Sequence, residues 1–506
     1  MQGFTYIDLA ILIVYLAAVL FAGLHFAKKE MKGKEYFKSD GTVPWWVTSV
    51  SIFATLLSPI SFLSLAGNSY AGTWIMWFAQ LGMLLAIPLT IKFFLPIYSK
   101  LDIDTAYHYL ELRFNSKGLR VLGAVMFIIY QVGRMSIIMY LPCMVLSSLM
   151  GINVNILIIM GIIAIIYSYT GGLKSVLWTD FIQGSVLLVG VTFGLIFLIA
   201  HLDGGIGAIF HEMSAGHKFL AVDQPIFNAN ILKDSVFLMI VGAGFNTMGS
   251  YVSSQDIVQR FTTTTDTKKL NKMMLTNGGL SIFIATVFYL IGTGLYVFYQ
   301  VQGNQLPPAA QQDQIFASWI AFELPVGITG LLLAAIYAAA QSTLSTGLNS
   351  VASSWTLDIQ ARLSKKELSF EKQTKIGQYV SLLVGIFSIV VAMVLANGGV
   401  KSAYEWFNGF MGLVLGILIG TFILGAFTKV ANTTGAVCAF IAASAVMVGI
   451  KYVIPVVAPE VTISIWSYSI ISIVVSLVVG LPASIISRKV KGDTSVPAQY
   501  TTIYKN

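Results

Sequence analysis

The chain reads as an all-α polytopic membrane protein, and three observations predict that class. It is 56% hydrophobic and only 10% charged, where a soluble domain carries about 25% charged residues. Its mean hydropathy is +0.80. Its apolar residues gather into about thirteen runs near the roughly 20 residues that a helix needs to cross a hydrocarbon core of about 30 Å. The runs are 5–27, 44–70, 74–99, 121–149, 152–170, 180–201, 234–255, 275–301, 314–354, 376–397, 403–427, 431–455 and 462–487.

The first run follows "MQGFTYIDLA", which lacks a basic leader, and its lysines come after the apolar stretch rather than before it. That order predicts a transmembrane helix with its N-terminus outside. Of 30 Lys and Arg, only Lys218, Lys233, Lys401 and Lys451 then fall in outer loops. Lys92 and Arg134 lie within runs, and all others fall inside, among them Lys28, Lys29, Lys32, Arg113, Arg120, Lys174, Arg260 and Lys505. Basic residues concentrate in cytoplasmic loops, so the topology predicted is N-out, C-in, with an odd number of spans. The formal charge of +8 is thereby assigned to loops and not to a nucleic-acid surface.

The second run contains "ATLLSPISF" (54–62), with Ser58, Pro59 and Ser61 near its middle. Proline within a helix costs roughly 3 kcal/mol, and hydrocarbon offers no water to the freed carbonyls. A neighbouring helix repairs this break or the break is functional. In the third run, Lys92 sits a turn or two from the inner end and snorkels. The fourth carries Arg134 well inside its apolar stretch, at a cost of about 2.5–3.5 kcal/mol on the gentlest scale. No intramembrane acid is placed by the sequence to neutralise it, Glu405 lying near an outer end beside Lys401. An unpaired guanidinium suits a carboxylate ligand, bidentately; pairing with backbone carbonyls is the alternative.

"WTDFIQG" (178–184) opens the sixth run. Thr179 or Asp180 is either a helix cap at the cytoplasmic surface or, for Asp180, a carboxylate reaching an ion. The seventh run, "IVGAGFNTMGSYVSSQD", is weakened by Gly242, Gly244, Asn246, Thr247 and Gly249. It lies five runs after the first interruption and so has the opposite orientation, the arrangement of paired broken helices in inverted-repeat transporters. The ninth run is long, with a short external helix expected before the membrane helix proper near Val326. Its "AAAQSTLSTGLNS" (338–350) places Ser342, Ser345 and Thr346 on one face. These hard oxygens suit sodium, with the broken-helix carbonyls of Ala54 and Leu57 completing the set; a serine-lined helix contact is the alternative. In the eleventh run, Gly412, Gly416 and Gly420 allow close helix approach. Two cysteines, Cys143 and Cys438, exclude a disulfide framework. The histidines 25, 108, 201, 211 and 217 lack HExxH spacing, and no GxSxG occurs, so no enzyme chemistry is indicated.

"TGGLKSVLWTDFIQG" (170–184), "TAYHYLELRF" (105–114), "SSQDIVQRF" (253–261) and "AAQSTLSTGLNS" (339–350) together resemble blocks of the sodium:solute symporter family, from the first run to about residue 430. The resemblance implies an inverted five-helix repeat of the LeuT type. Residues 1–43 would form a leading helix and loop, 44–201 the first repeat, 202–427 an external loop and the second repeat, and 428–506 two trailing helices and a tail. It also implies sodium-driven uptake by alternating access. The usual sodium position would fall on Ala54, Leu57, Ala339, Ser342 and Thr343, the first three through backbone oxygens.

Within the family, "VSIFATLLSPISF", "VGRMSIIMY" and "AAIYAAAQSTLSTGLNS" are most similar to the bacterial sialic acid (N-acetylneuraminate) symporters. That likeness implies Arg134 on the sugar's carboxylate, Ser58, Ser61 and Gln80 around the sugar, and a second sodium on Asp180, Ser342, Ser345 and Thr346. The chain departs at Leu56 and Ser61, where threonine is expected. Two sodium ions with one monoanion move a net positive charge inward, worth about 2.3 kcal/mol per 100 mV. Other small solutes of the family (proline, pantothenate or a neutral sugar) are the alternative, and a neutral sugar gives Arg134 no partner. A monomer in the bacterial inner membrane, with no nucleic-acid partner, completes the expectation.

Overall fold

The computed structural model describes residues 5–502 apart from 28–33, 40, 102, 152, 160, 223, 231, 307–313, 398–402 and 492–497. Lys28, Lys29, Lys32, Lys401, Lys505 and the side chain of Glu405 lie outside the described residues. Among those described there is no strand. The principal helices are α1 (Tyr6–Ala27), α2 (Trp45–Leu56), α3 (Pro59–Ala71), α4 (Ala79–Phe93), α5 (Ala106–Phe114), α6 (Lys117–Met150), α7 (Gly161–Ala200), α8 (Val236–Ser253), α9 (Gln255–Phe261), α10 (Thr267–Tyr296), α11 (Ile328–Ser353), α12 (Phe370–Asn397), α13 (Ala403–Phe427), α14 (Thr433–Val448) and α15 (Tyr468–Lys491).

Ten described helices are long and apolar enough to cross a membrane, and the bent pair α2–α3 makes an eleventh. The expected count of about thirteen is not reached on that measure. Part of the difference lies in α7, whose 40 residues cover both the fifth and the sixth expected spans. Gly172 (φ 57, ψ −158) interrupts it, a conformation essentially confined to glycine. A Cβ there would run into the Tyr36 backbone, and the Tyr36 hydroxyl donates to the carbonyls of Ser168 (3.3 Å) and Tyr169 (3.2 Å) just before the kink. The ninth run divides as expected, with Ile315–Phe322 forming a short helix ahead of α11.

The glycines of the seventh run do not break it. α8 is helical from Val236 to Ser253 and ends at Ser254 (φ −91, ψ 118), after which α9 begins. Gly244 instead lets α8 approach Gly82 of α4, and Gly242 faces the backbone of Trp466. Small residues serve close packing as readily as interruption. Gly416 and Gly420 act as expected, bringing α13 against Ser469, Ser472 and Ser476 of α15; the surroundings of Gly412 lie outside the described residues.

α11 is the innermost helix. Its most apolar window is 83% buried against 28% for α1, α12 and α14, and α1, α2, α6, α7 and α12 all pack on it. The hydroxyl-rich segment of the ninth run is therefore held at the centre of the bundle, away from lipid, with the broken α2–α3 pair beside it.

Candidate cation and solute sites at a broken helix

α2 and α3 meet at 64°. Leu57 (φ −84, ψ 110) and Ser58 (φ −98, ψ 161) are extended between them. Pro59 is the first residue of α3, where its missing N–H and fixed φ suit a helix start, and Ser58 caps α3 by accepting from the Ser61 N–H at 3.3 Å. In an unbroken helix the Thr55 carbonyl would accept from residue 59, and proline has nothing to donate. Arg134 supplies the bond instead, its Nη2 donating to Thr55 O at 2.8 Å. The Ala54 carbonyl, which would accept from residue 58, takes the Ser342 hydroxyl at 3.0 Å. The carbonyl freed by the proline and the one before it are thus each met by a side chain of the expected site.

Four of the five residues expected for the first sodium come together here. Ser342 Oγ donates to Ala54 O (3.0 Å) and Ala339 O (3.2 Å), and Thr343 Oγ1 donates to Ala339 O at 3.0 Å. Leu57 lies on the break itself. Oxygens grouped this closely, without a full charge among them, are the donor chemistry that suits a small hard monovalent cation.

A cavity of about 90 Å³ opens beside the break, lined by Leu56, Ser58, Ser61, Tyr130, Arg134, Ser250, Ser254, Asp256 and Ile257. Ser58, Ser61 and Arg134 meet here as expected. Gln80 does not line it; it is half-buried on α4. Leu56 gives the cavity an apolar wall. Arg134 is 5% exposed, and the expectation that it lacks an acid partner is corrected: Nη1 donates to Asp256 Oδ2 at 2.7 Å. Asp256 sits on α9, 122 residues away in sequence, and also accepts from the Ser254 hydroxyl through Oδ1.

Asp180 is fully buried within α7, eight residues past the Gly172 kink, and is not a surface cap. Its Oδ2 accepts from Ser51 Oγ (2.6 Å), Arg260 Nη2 (2.7 Å) and Thr346 Oγ1 (3.1 Å), and its Oδ1 accepts from Ser345 Oγ at 3.4 Å. Three of the four residues expected for the second sodium therefore meet directly. Ser342 is joined through its carbonyl, which accepts from Ser345 at 3.2 Å. Arg260, assigned by charge to a cytoplasmic loop, is instead fully buried at this cluster. Arg113 and Arg120 are likewise buried and paired, Arg113 with the Gly425 and Ala431 carbonyls and Arg120 with Asp358 and Glu111. Lys92 is exposed, with its Nζ over the Phe93 ring.

Sequence reasoning missed Asp256, Arg260, Ser51 and Thr55. Asp256 and Arg260 stand four apart within "SSQDIVQRF", one turn of helix, so an acid followed by a base at that spacing was the available signal. Ser51 and Thr55 carry the same one-turn spacing just before the break.

Residues 36–443 match the sodium:solute symporter family. The chain is 35% identical over 453 residues to the sodium/sialic acid symporter SiaT of Proteus mirabilis, covering 89% of this chain and 91% of that protein. It is 30% identical to the sodium/sialic acid symporter NanT of Aliivibrio fischeri, covering 89% and 88%. A solved substrate-bound, outward-open Na+-coupled sialic acid symporter superposes with TM-score 0.87 at 34% identity, covering 96% of this chain and 98% of that one. The nucleobase-cation symporter Mhp1 shares the fold alone, at TM-score 0.56 and 15% identity over 89% and 93%. The bent helix, the hydroxyl face of α11 and these likenesses agree: the chain belongs to the sodium:solute symporter family.

Proposed function

We propose that the chain imports an anionic sugar acid of the N-acetylneuraminate class, driven by sodium and working by alternating access. The observation that carries this is a buried guanidinium, Arg134, lining a cavity with the Ser58 and Ser61 hydroxyls at a helix break. Its fork can take a carboxylate bidentately, while Ser58 and Ser61 offer hydrogen bonds to the sugar. One sodium would sit on Ala54, Leu57, Ala339, Ser342 and Thr343, and a second on Asp180, Ser342, Ser345 and Thr346. Gln80, on α4, belongs to this reading only as a residue that approaches the solute when the cavity is filled.

The remaining parts of the reading are the N-out, C-in orientation, the inner-membrane location, the monomeric state, transport without catalysis, about thirteen spans and two inverted repeats over 44–201 and 202–427. The charge on Arg134 also supports a second reading. Because Asp256 already neutralises it, a neutral solute of the family could bind with that pair intact. Uptake of labelled N-acetylneuraminate into proteoliposomes, with and without an inward sodium gradient, separates the two. Gradient-dependent uptake that carries net positive charge supports two sodium ions per monoanion. Uptake indifferent to sodium, or no uptake of N-acetylneuraminate alongside sodium-driven uptake of a labelled neutral sugar, overturns the leading reading.

A further inference from the structure

We infer that α9 exchanges partners when the transporter loads. Asp256 holds Arg134 in the place of the solute's carboxylate, and Arg260 holds Asp180 in the place of the second cation. The inference deepens the proposed function and rests on it.

Four buried charges form one chain. Arg134 Nη1 pairs with Asp256 Oδ2 at 2.7 Å. Asp256's own backbone carbonyl accepts from Arg260 Nη1. Arg260 Nη2 then pairs with Asp180 Oδ2 at 2.7 Å and donates to Thr346 Oγ1 at 2.6 Å. None of the four is more than 5% exposed, and together they sum to zero charge. The two ends are the expected solute residue and the expected second-sodium residue. The two middle members share one turn of one helix.

Each middle member uses the atoms an incoming ligand needs. A carboxylate that takes the end-on Nη1–Nη2 edge of Arg134 competes with Asp256 for Nη1. A cation that takes Asp180 Oδ2 and Thr346 Oγ1 competes with Arg260, which donates to both. The displaced side chains are not stranded, because an acid four residues before a base on one helix turn is the favourable order for mutual pairing. Charge explains why both exchanges go together. One carboxylate plus one monovalent cation leaves the cluster neutral, whereas either alone leaves a buried charge without a counterpart, which is expensive. Each ligand therefore strengthens binding of the other, reciprocally. Asp256 and Arg260 are positioning residues in this scheme, since each acts through Arg134 or Asp180. Ser254 on Asp256, and Ser51 on Arg260 Nε at 2.8 Å, hold them in the unloaded arrangement.

The test is the affinity for N-acetylneuraminate of the full-length purified protein in sodium chloride and in choline chloride, by titration calorimetry. Wild type is expected to bind more tightly in sodium, within the about 5- to 150-fold range usual for coupled sites. Asp256→Asn is expected to tighten binding in choline and bring that ratio down toward one, since the internal competitor is gone. Should Asp256→Asn fail to fold, Asp256→Asn with Arg260→Gln removes both internal partners at unchanged net charge and is expected to shrink the ratio equally. A ratio equal to wild type in the folded variant overturns the inference alone. Wild-type protein that binds no N-acetylneuraminate in either salt overturns the proposed function and this inference with it.

Discussion

Two of the helix breaks, at α2–α3 and at α8–α9, treat the exposed backbone in opposite ways. At α2–α3 two extended residues and a proline separate halves bent by 64°. The freed carbonyls are met by groups that also suit ligands, Arg134 on Thr55 and Ser342 on Ala54. At α8–α9 a single residue, Ser254, leaves the helical region. There the carbonyls are closed by tyrosines, Tyr98 donating to Val252 O and Tyr107 donating to Ser253 O at 2.9 Å. The Gln255 side chain also accepts from the Ala106 N–H at 2.8 Å. A buried backbone group needs a partner, and the kind of partner decides what a break can do. A tyrosine buried in the core keeps its bond, whereas an arginine facing a cavity can trade its bond for a solute. On the proposed reading the first break holds the ligands, while the second sets the direction of α9 and with it the placement of Asp256 and Arg260.

The largest effect should come from Arg134→Ala. Sodium-driven uptake falls to background, and stability drops by about 3–5 kcal/mol because Asp256 is left buried without a counter-charge. Adding Asp256→Ala removes that orphan, so the double variant regains much of its thermal stability by scanning fluorimetry and none of its uptake. Recovery of uptake in the double variant would remove Arg134 from the solute site.

Pro59→Ala comes next. It restores an N–H at the position where Thr55 O lacks one, so the two halves can close into one helix and withdraw the Ala54 and Thr55 carbonyls. Uptake should fall at least about tenfold, in keeping with about 1.4 kcal/mol per decade. Tyr107→Phe at the other break orphans a carbonyl, costing about 1–3 kcal/mol of stability, with uptake per folded molecule unchanged. If Tyr107→Phe lost uptake as heavily as Pro59→Ala, the contrast between the breaks would fail.

Asp180→Ala tests whether the second cluster binds a cation. The sodium dependence of uptake should lose its cooperativity and become hyperbolic. An unchanged sodium response would leave Asp180 as the structural partner of Arg260.

These contrasts also explain what the sequence could disclose. Pro59 was legible because its effect is local: a missing N–H strands one named carbonyl four residues back. The α11 hydroxyls were legible because spacings of three and four fix a shared face. Asp180 stayed ambiguous between cap and ligand, since its place depends on where the preceding helix kinks, and that depends on Gly172 and Tyr36. The glycines of α8 misled because glycine serves a break and a close approach equally well. The partner of Arg134 was illegible because Asp256 is 122 residues distant, and only tertiary packing brings α9 to α6.

The smallest effect concerns the clamp on the second break. His108 follows Tyr107 on α5, outside the membrane spans, and burial, reinforced by Arg120, pushes its pKa down to about 4. Its Nδ1 accepts from the Asp104 N–H at 3.3 Å, a bond available only to the unprotonated nitrogen. An unfolded histidine titrates near 6.5, so between about 4 and 6.5 the unfolded chain binds more protons than the folded one. Stability must therefore rise with pH across that window, be fully present above 6.5 and be lost as pH falls through about 4. His108→Gln should flatten this slope in thermal scans from pH 4 to 7 while leaving the sodium dependence of uptake at pH 7 unchanged. A shift in that sodium dependence would mean that the clamp and the ion sites are not separable, and the division between a structural and a working break would have to be redrawn.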